Sequence, residues 1–182
     1  DRTMNTSLAI SAELSPDNIH KEIFPGASYL YIEGYLATSE TGKAAAIEMR
    51  QQAQKTDTKI SMSLSDPGIV EFFKPQLKEI LGAKIDLLFC NEAEALKWTE
   101  NETLDAAVET LKQDAEAFAI TRGSQGALLF DGSEYIEVTT PQIKAVDTNG
   151  AGDMFAGTFL AAICQGKSFA EAGSLACRGA AM

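Results

Sequence analysis

The sequence predicts an α/β fold: a mostly parallel central sheet with helices on both faces. Three observations predict it. Short strand-like runs alternate with helical stretches along most of the chain, the order that builds parallel sheets. Two of those runs, Tyr29-Leu30-Tyr31-Ile32-Glu33 and Ile85-Asp86-Leu87-Leu88-Phe89-Cys90, are almost continuously apolar, as strands covered on both faces are. No internal repeat or low-complexity linker interrupts the pattern, so the 182 residues read as one domain with a real core.

Taken in order, residues 5–12 read as a first, moderately alternating strand. Ser15-Pro16-Asp17 is a helix-start signal, with Pro at the first helical position. A strand over 29–33 closes at Gly34. Residues 41–55 form a helix with Ala45, Ile47, Met49 and Ala53 among its apolar positions. Residues 59–64 alternate strictly and form the next strand. Asp66-Pro67-Gly68 turns the chain. Residues 69–81 carry two short helices split near Pro75, because proline removes a helical hydrogen bond. A strand over 85–90 leads into Asn91, then helices over 94–98 and 104–113. A strand over 117–121 ends at Arg122-Gly123. Residues 126–130 and 135–138 pair as antiparallel strands around Asp131-Gly132. An apolar helix runs from Met154 to Ile163, and an Ala-rich helical pattern from Ala170 to the last residue.

Bulk properties exclude several classes. The formal net charge is −11, against the basic patch a nucleic-acid surface needs. It does not argue against ATP, whose phosphates backbone amides can hold. No run is long and apolar enough to span a bilayer, and there is no signal peptide. Cys90, Cys164 and Cys177 lie in apolar contexts without metal spacing, which reads as buried reduced thiols in a cytoplasmic protein. The one histidine, His20, sits in a polar stretch, so no His-based triad is expected.

The richest stretch is Asp147-Thr148-Asn149-Gly150-Ala151-Gly152-Asp153, just before the apolar helix. Glycines let a backbone approach a ligand closely, and a helix N-terminus offers unpaired N–H groups to an anion. Asp153 then stands beside an anion site, where a carboxylate handles a proton or a metal. The plainer alternative is an N-cap at Asp147 or Asn149, with Asp153 complementing the helix dipole. The stretch is neither a dinucleotide fingerprint, whose third glycine it lacks, nor a P-loop, whose lysine it lacks. Gly166-Lys167-Ser168 follows a helix, and Gly166 reads as a helix C-cap.

This seven-residue stretch resembles the signature of the ribokinase-like (PfkB-type) carbohydrate kinases, and Asn149 at its third place looks most like the adenosine kinases among them. The resemblance implies Asp153 as catalytic base and the amides of Gly150, Ala151 and Gly152 as an anion hole. Two further stretches match in order. Asn91-x-x-Glu94, after a buried strand, fits a capping box and also resembles the family motif that positions Mg²⁺, water and phosphate. Mg²⁺ keeps much of its water shell, so Glu94 and Asn91 would act through water. Thr121-Arg122-Gly123 followed by Gly126 reads as a turn between strands and also resembles the family's nucleotide loop. There Thr121, Gly123 and Gly126 lie along ATP, with Asn91 and Thr148. Arg2 resembles an arginine that reaches the transferring phosphate; otherwise it is an exposed terminal side chain. Asp147 and the Asn149 carbonyl match positions that hold a monovalent cation in some relatives, and no such site is assigned here.

The resemblance implies a ribokinase-like fold, incomplete in this chain. Residues 1–12 would be a lid-edge strand region and 13–182 the nucleotide-binding and catalytic part of one partial domain. Both ends read as those of a fragment. The implied reaction is phosphoryl transfer from ATP, with Mg²⁺, to a primary hydroxyl of an adenosine-like nucleoside. A sugar such as ribose or fructose is the alternative acceptor, and a catalytically silent nucleotide-binding fragment is a second reading. A dinucleotide-dependent oxidoreductase shares the α/β pattern but lacks the glycine spacing. ATP and a nucleoside or sugar are the expected partners, with no nucleic acid or membrane; the oligomeric state is not legible.

Overall fold

The computed structural model describes residues 9–143 and 147–182. Six strands form one sheet in the order β1-β2-β3-β4-β5-β6: β1 Tyr29–Glu33, β2 Lys59–Ser63, β3 Ile85–Asn91, β4 Ala115–Thr121, β5 Ala127–Phe130 and β6 Tyr135–Val138. The first four are parallel and the last two antiparallel. The expected mostly parallel sheet is therefore present.

The layer arrangement follows from the crossovers. The chain moves across the sheet in one direction, from β1 to β4. Right-handed parallel connections then place every crossover helix on the same face. Those helices are α1 Glu40–Ala53, α2 Pro67–Leu81, α3 Glu92–Thr99 and α4 Leu104–Leu111. The opposite face is covered by α5 Ala151–Cys164 and α6 Phe169–Ala180, which pack on each other. Helices thus cover both faces.

Strand alternation divides the core in two. Leu30, Ile32, Ile60, Met62, Leu88, Cys90, Phe118 and Ile120 point to α1–α4, together with Val70, Leu77, Ile80 and Leu111. Leu87, Phe89, Ala117, Ala119 and Leu129 point to α5 and α6. The alanines of β4 make room on that face for the rings of α5. Phe159 stands edge-on to Phe89 at 5.7 Å and to Phe169 at 5.1 Å, and Phe155 touches Phe89 at 6.4 Å. These edge contacts add to the burial of large apolar side chains.

Several local readings need correction. Residues 9–13, read partly as strand, form a 3-10 turn (Ala9–Glu13); Ala9 has φ 43, which a strand does not allow. Residues 5–8 of that reading lie outside the described residues. The helix start at Ser15 gives only a 3-10 turn, Pro16–Asn18. Asp66-Pro67-Gly68 begins α2 instead of merely turning the chain: the Asp66 side chain caps Gly68 N–H, and Pro67 takes the first position. The two expected short helices are present and run on as α2 across a kink, with non-helical angles at Phe73 (φ −124, ψ 19). Pro75 explains the kink, since it cannot donate to the preceding turn. Cys90 and Cys177 are buried, but Cys164 at the end of α5 is exposed. Gly166, at φ 80, ends α5 as expected of a C-cap glycine. No described helix is long and apolar enough to cross a membrane.

Phe159 is fully buried between Phe89 and Phe169. Its replacement by alanine is predicted to lower unfolding free energy by about 3–5 kcal/mol, read from the urea midpoint at unchanged m-value. A loss below about 1 kcal/mol would mean that α5 is not anchored by this ring.

Candidate active site

Parallel strands deliver their carboxyl ends to one edge of the sheet, where ligands of open α/β sheets bind. Here β3 and β4 end in register, Asn91 opposite Thr121, and Glu33 of β1 stands opposite Ser63 of β2. A cleft of about 820 Å³ opens over these ends, lined among others by Glu33, Ser65, Asp66, Asn91, Glu94, Thr121, Thr148, Gly150, Gly152 and Asp153. The structure therefore brings together, from three separate stretches, the Asn91–Glu94 pair, Thr121 and the loop before α5. Ala151 is half-buried and outside the lining.

The N-terminus of α5 is unusual. In α1, α2, α3, α4 and α6 a side chain of the N-cap residue (Ser39, Asp66, Asn91, Thr103 and Ser168) accepts from the first turn. In α5 the N-cap is Gly150, which has no side chain to offer. Its φ of 76 is a left-handed conformation natural to glycine. A Cβ built at Gly150 or Gly152 would meet nothing within 4 Å, so the space in front of these amides is open. Asp147 does not cap the helix either. Its carboxylate accepts from Asn149 N–H at 2.9 Å and from Asn149 Nδ2 at 3.3 Å, which fixes the preceding turn. Asp153 lies in the first helical turn, exposed, on the cleft.

Asn91 and Glu94 do form a capping box. Asn91 Oδ1 accepts from Glu94 N–H at 2.8 Å, and Glu94 Oε2 from Asn91 N–H at 2.9 Å. A further bond from Asn91 Nδ2 to Glu94 Oε1, at 2.6 Å, locks the two side chains together. Glu94 is 4% exposed yet lines the cleft. Burial pushes its carboxyl up to about 7; the Asn91 N–H opposes this, and the nearby charges of Asp66 and Glu33 add to it. Glu33, Asp66, Glu94 and Asp153 all line the cleft, and among the described lining residues there is no Lys, Arg or His.

Among the described residues no three His, Cys, Asp or Glu side chains are grouped closely enough to hold a metal ion. That donor set does not suit a dehydrated ion held by protein alone. It suits Mg²⁺, which keeps several waters and takes one or two carboxylates plus phosphate oxygens. Asn91 and Glu94 fit that role.

The loop after β4 is only partly in the cleft. Thr121 lines it, whereas Gly123 and Gly126 lie in the following 3-10 turn, outside the lining. Gly126 has its own structural reason: at φ 89, a Cβ there would fall 2.0 Å from the Val138 carbonyl oxygen. Arg122 is drawn away toward Glu137 and Gln125. Arg2 lies outside the described residues.

Glu33, Ser65 and Asp66 were not singled out from the sequence. A signal existed: each follows or ends a buried strand, as Asn91 and Thr121 do. Ser65 is held at φ 70, a conformation uncommon for serine. Its hydroxyl accepts from Gly34 N–H at 2.8 Å and donates to Glu33 Oε2 at 2.9 Å. Tyr31 stands beside them; burial first, then the Glu33 carboxylate, raises its hydroxyl far above the ordinary tyrosine value.

With the geometry in place, comparison with known proteins decides the lineage. The profile of the pfkB family carbohydrate kinases matches residues 1–182. The chain belongs to that family. It is 26% identical to an adenosine kinase of Schizophyllum commune, over 92% of this chain and 54% of that protein. Among solved structures, a probable sugar kinase protein from Rhizobium etli superposes with TM-score 0.88 at 31% identity, covering 93% of this chain and 52% of the other. The adenosine kinase of Sinorhizobium meliloti superposes with TM-score 0.87 at 30% identity, with the same two coverages. The ribokinase-like fold is thereby established. The chain spans about half the length of the relatives it matches.

Glu94 also makes a stability prediction. Its folded value near 7 lies above the ordinary 4.5, so the unfolded chain ionises first as pH rises. Ionising it in the fold therefore carries a stability penalty, absent below about pH 4.5 and fully developed above about pH 7, of roughly 3 kcal/mol at most. Gln can keep the capping box. Thermal unfolding of Glu94→Gln is expected to gain on the parent progressively from pH 5 to pH 8; a constant difference would place the carboxylate in water.

Proposed function

We propose that this chain forms the phosphate-side part of a kinase site that transfers the terminal phosphoryl group of ATP to a primary hydroxyl of a nucleoside resembling adenosine. The observation that carries the reading is the side-chain-uncapped N-terminus of α5, with Asp153 in its first turn, facing the Asn91–Glu94 pair across one cleft. Phosphoryl transfer asks the protein chiefly for positioning and charge stabilisation. The amides of Gly150, Ala151 and Gly152 hold the transferring oxygens, as helix N-termini hold phosphate. Asp153, beside them, accepts the proton of the attacking hydroxyl. Thr121, Gly123, Gly126, Asn91 and Thr148 hold the nucleotide, and Arg2 belongs to the phosphate contacts.

No described cationic side chain lines the cleft, so the polyphosphate needs a companion cation. Mg²⁺, held through water by Asn91 and Glu94, supplies that charge when bound. We assign residues 1–12 to the edge of a lid and residues 13–182 to the nucleotide-binding and catalytic part of one partial domain. The acid-rich cleft gives no purchase for nucleic acid, and a cytoplasmic setting agrees with the exposed thiol Cys164.

Two observations favour a nucleoside acceptor: the adenosine kinase relatives and Asn149 in the signature. The likeness to the Rhizobium etli protein supports a second reading, a sugar such as ribose or fructose. A third reading is a silent nucleotide-binding module.

ADP release with ATP, Mg²⁺ and adenosine, guanosine, ribose or fructose separates these readings. Asp153→Asn is expected to reduce turnover by ~10²–10⁴ while ATP still binds; near-normal turnover removes Asp153 from the chemistry. Glu94→Gln should shift the Mg²⁺ titration to higher concentration, and an unchanged midpoint would leave Glu94 as a helix cap alone.

A further inference from the structure

Strands β3 and β4 end side by side, with Asn91 opposite Thr121 as the last pair of their ladder. The next residue on each strand carries opposite charge. Glu92 opens α3, and Arg122 opens the turn Gly123–Gln125. Their side chains approach across the strand ends, Arg122 Nε lying 3.7 Å from Glu92 Oε2. Arg122 is held on two further sides. Nη2 donates to Gln125 Oε1 at 2.9 Å, within its own loop, and Nη1 to Glu137 Oε1 at 3.4 Å, on β6. A planar guanidinium can present three nitrogens to three partners; a lysine ammonium, a single point, cannot span them. The arginine thus bridges the loop after β4, the start of α3 and the edge strand. Its side chain is 24% exposed, and Nε is buried without a hydrogen-bond partner. A buried donor left unmet is costly, and a shorter approach of Glu92 would meet it.

We infer that Arg122 is a positioning residue that couples the nucleotide loop to the metal-organising pair: through Glu92 it fixes Thr121 relative to Asn91 and Glu94. This rests on the kinase reading above. Thr121 and the Asn91–Glu94 pair meet one ligand from two elements, so their separation must be held as well as their individual places. The ladder holds it as far as Asn91 and Thr121. Past that pair the chains part, one into a helix and the other into a turn closed by Arg122 N–H on the Gly126 carbonyl at 2.8 Å. Arg122 spans the gap just there. It does not line the cleft, so it acts through its neighbours and not by touching the nucleotide. An isolated exposed ion pair would contribute little, but a shielded arginine with three partners is a network.

The test measures ATP binding to the purified protein by calorimetry, with Mg²⁺ and with the metal removed by EDTA. The parent is compared with Arg122→Ala, Glu92→Ala and the double variant. Arg122→Ala is expected to weaken binding of ATP with Mg²⁺ by about 10-fold, as for lost hydrogen bonds to a charged group. Metal-free ATP should lose at most about 2-fold, because Asn91 and Glu94 act on the phosphates chiefly through the metal. Glu92→Ala should show the same metal dependence at about 3-fold, and it stands as the readout if Arg122→Ala fails to fold. The double variant should bind no more weakly than Arg122→Ala alone, since the two residues act through one contact. Equal losses with and without Mg²⁺ would make Arg122 a brace of its own loop and overturn the coupling. Unchanged binding in both variants overturns it too, and either result leaves the kinase reading intact. Failure of the parent to bind ATP in either form overturns that reading and this inference with it.

Discussion

The anchoring of α5 against β3 is the constraint on which the rest of the site depends. Phe89 occupies the α5-facing side of a central strand and receives Phe155 and Phe159 edge-on, while Ala117 and Ala119 beside it are small enough to let the helix come close. Two residues further along the same strand is Asn91, which begins α3. One strand therefore positions both walls of the cleft: the open helix end on one face of the sheet and the Asn91–Glu94 pair at its edge. Because the alternation of a strand is fixed, a slip of one residue in β3 would exchange Leu88 and Phe89 between the two cores and carry Asn91 out of register with Thr121.

The cleft so formed is electrostatically one-sided. Its described charged side chains are carboxylates, and the offsetting positive character comes from backbone: the first-turn amides of α5, free of any side-chain cap. Such a site holds anions weakly on its own, since a helix end contributes only about 0.3–1 kcal/mol at an exposed position. On the proposed kinase reading, a polyphosphate would be retained only together with its own cation, and the negative net charge of the chain would oppose that unit less than a bare polyanion.

Much of this was legible in the sequence, and the failures have physical reasons. Strands β1 and β3 are readable because covering both faces demands apolar runs, β2 is readable from its alternation, and the cap at Asn91 follows from its spacing to Glu94. Residues 9–13 alternate weakly like a strand, but nothing in a local pattern reveals the positive φ at Ala9. Pro67 reads as a turn former in sequence, although the same fixed φ serves equally at a helix start. In the site, the stretch before α5 announces itself through its glycines. Glu33 does not: it sits in phase at the end of a strand and acquires its setting only when Ser65, from another strand end and in a conformation serine seldom takes, arrives beside it. Gly126 shows the reverse case. It was assigned to nucleotide contact from its motif, and it is also demanded by the Val138 carbonyl.

The two readings of Asn91-x-x-Glu94, helix cap and ligand-organising pair, turn out to be compatible. The hydrogen bonds that close the start of α3 also fix both Glu94 oxygens and hold the carboxyl at the wall of the cleft. Burial makes its ionised form unfavourable, and the neighbouring charges of Asp66 and Glu33 make it more so. As a cap alone, a glutamine would satisfy the same geometry without that cost. On the proposed reading, a glutamate in this place would answer to a positive charge taken up by the cleft as well as to the helix. The same reasoning applies to Asp153, whose place in the first turn of α5 would stabilise any helix through the dipole, but which this fold turns toward the cleft instead of toward open solvent alone.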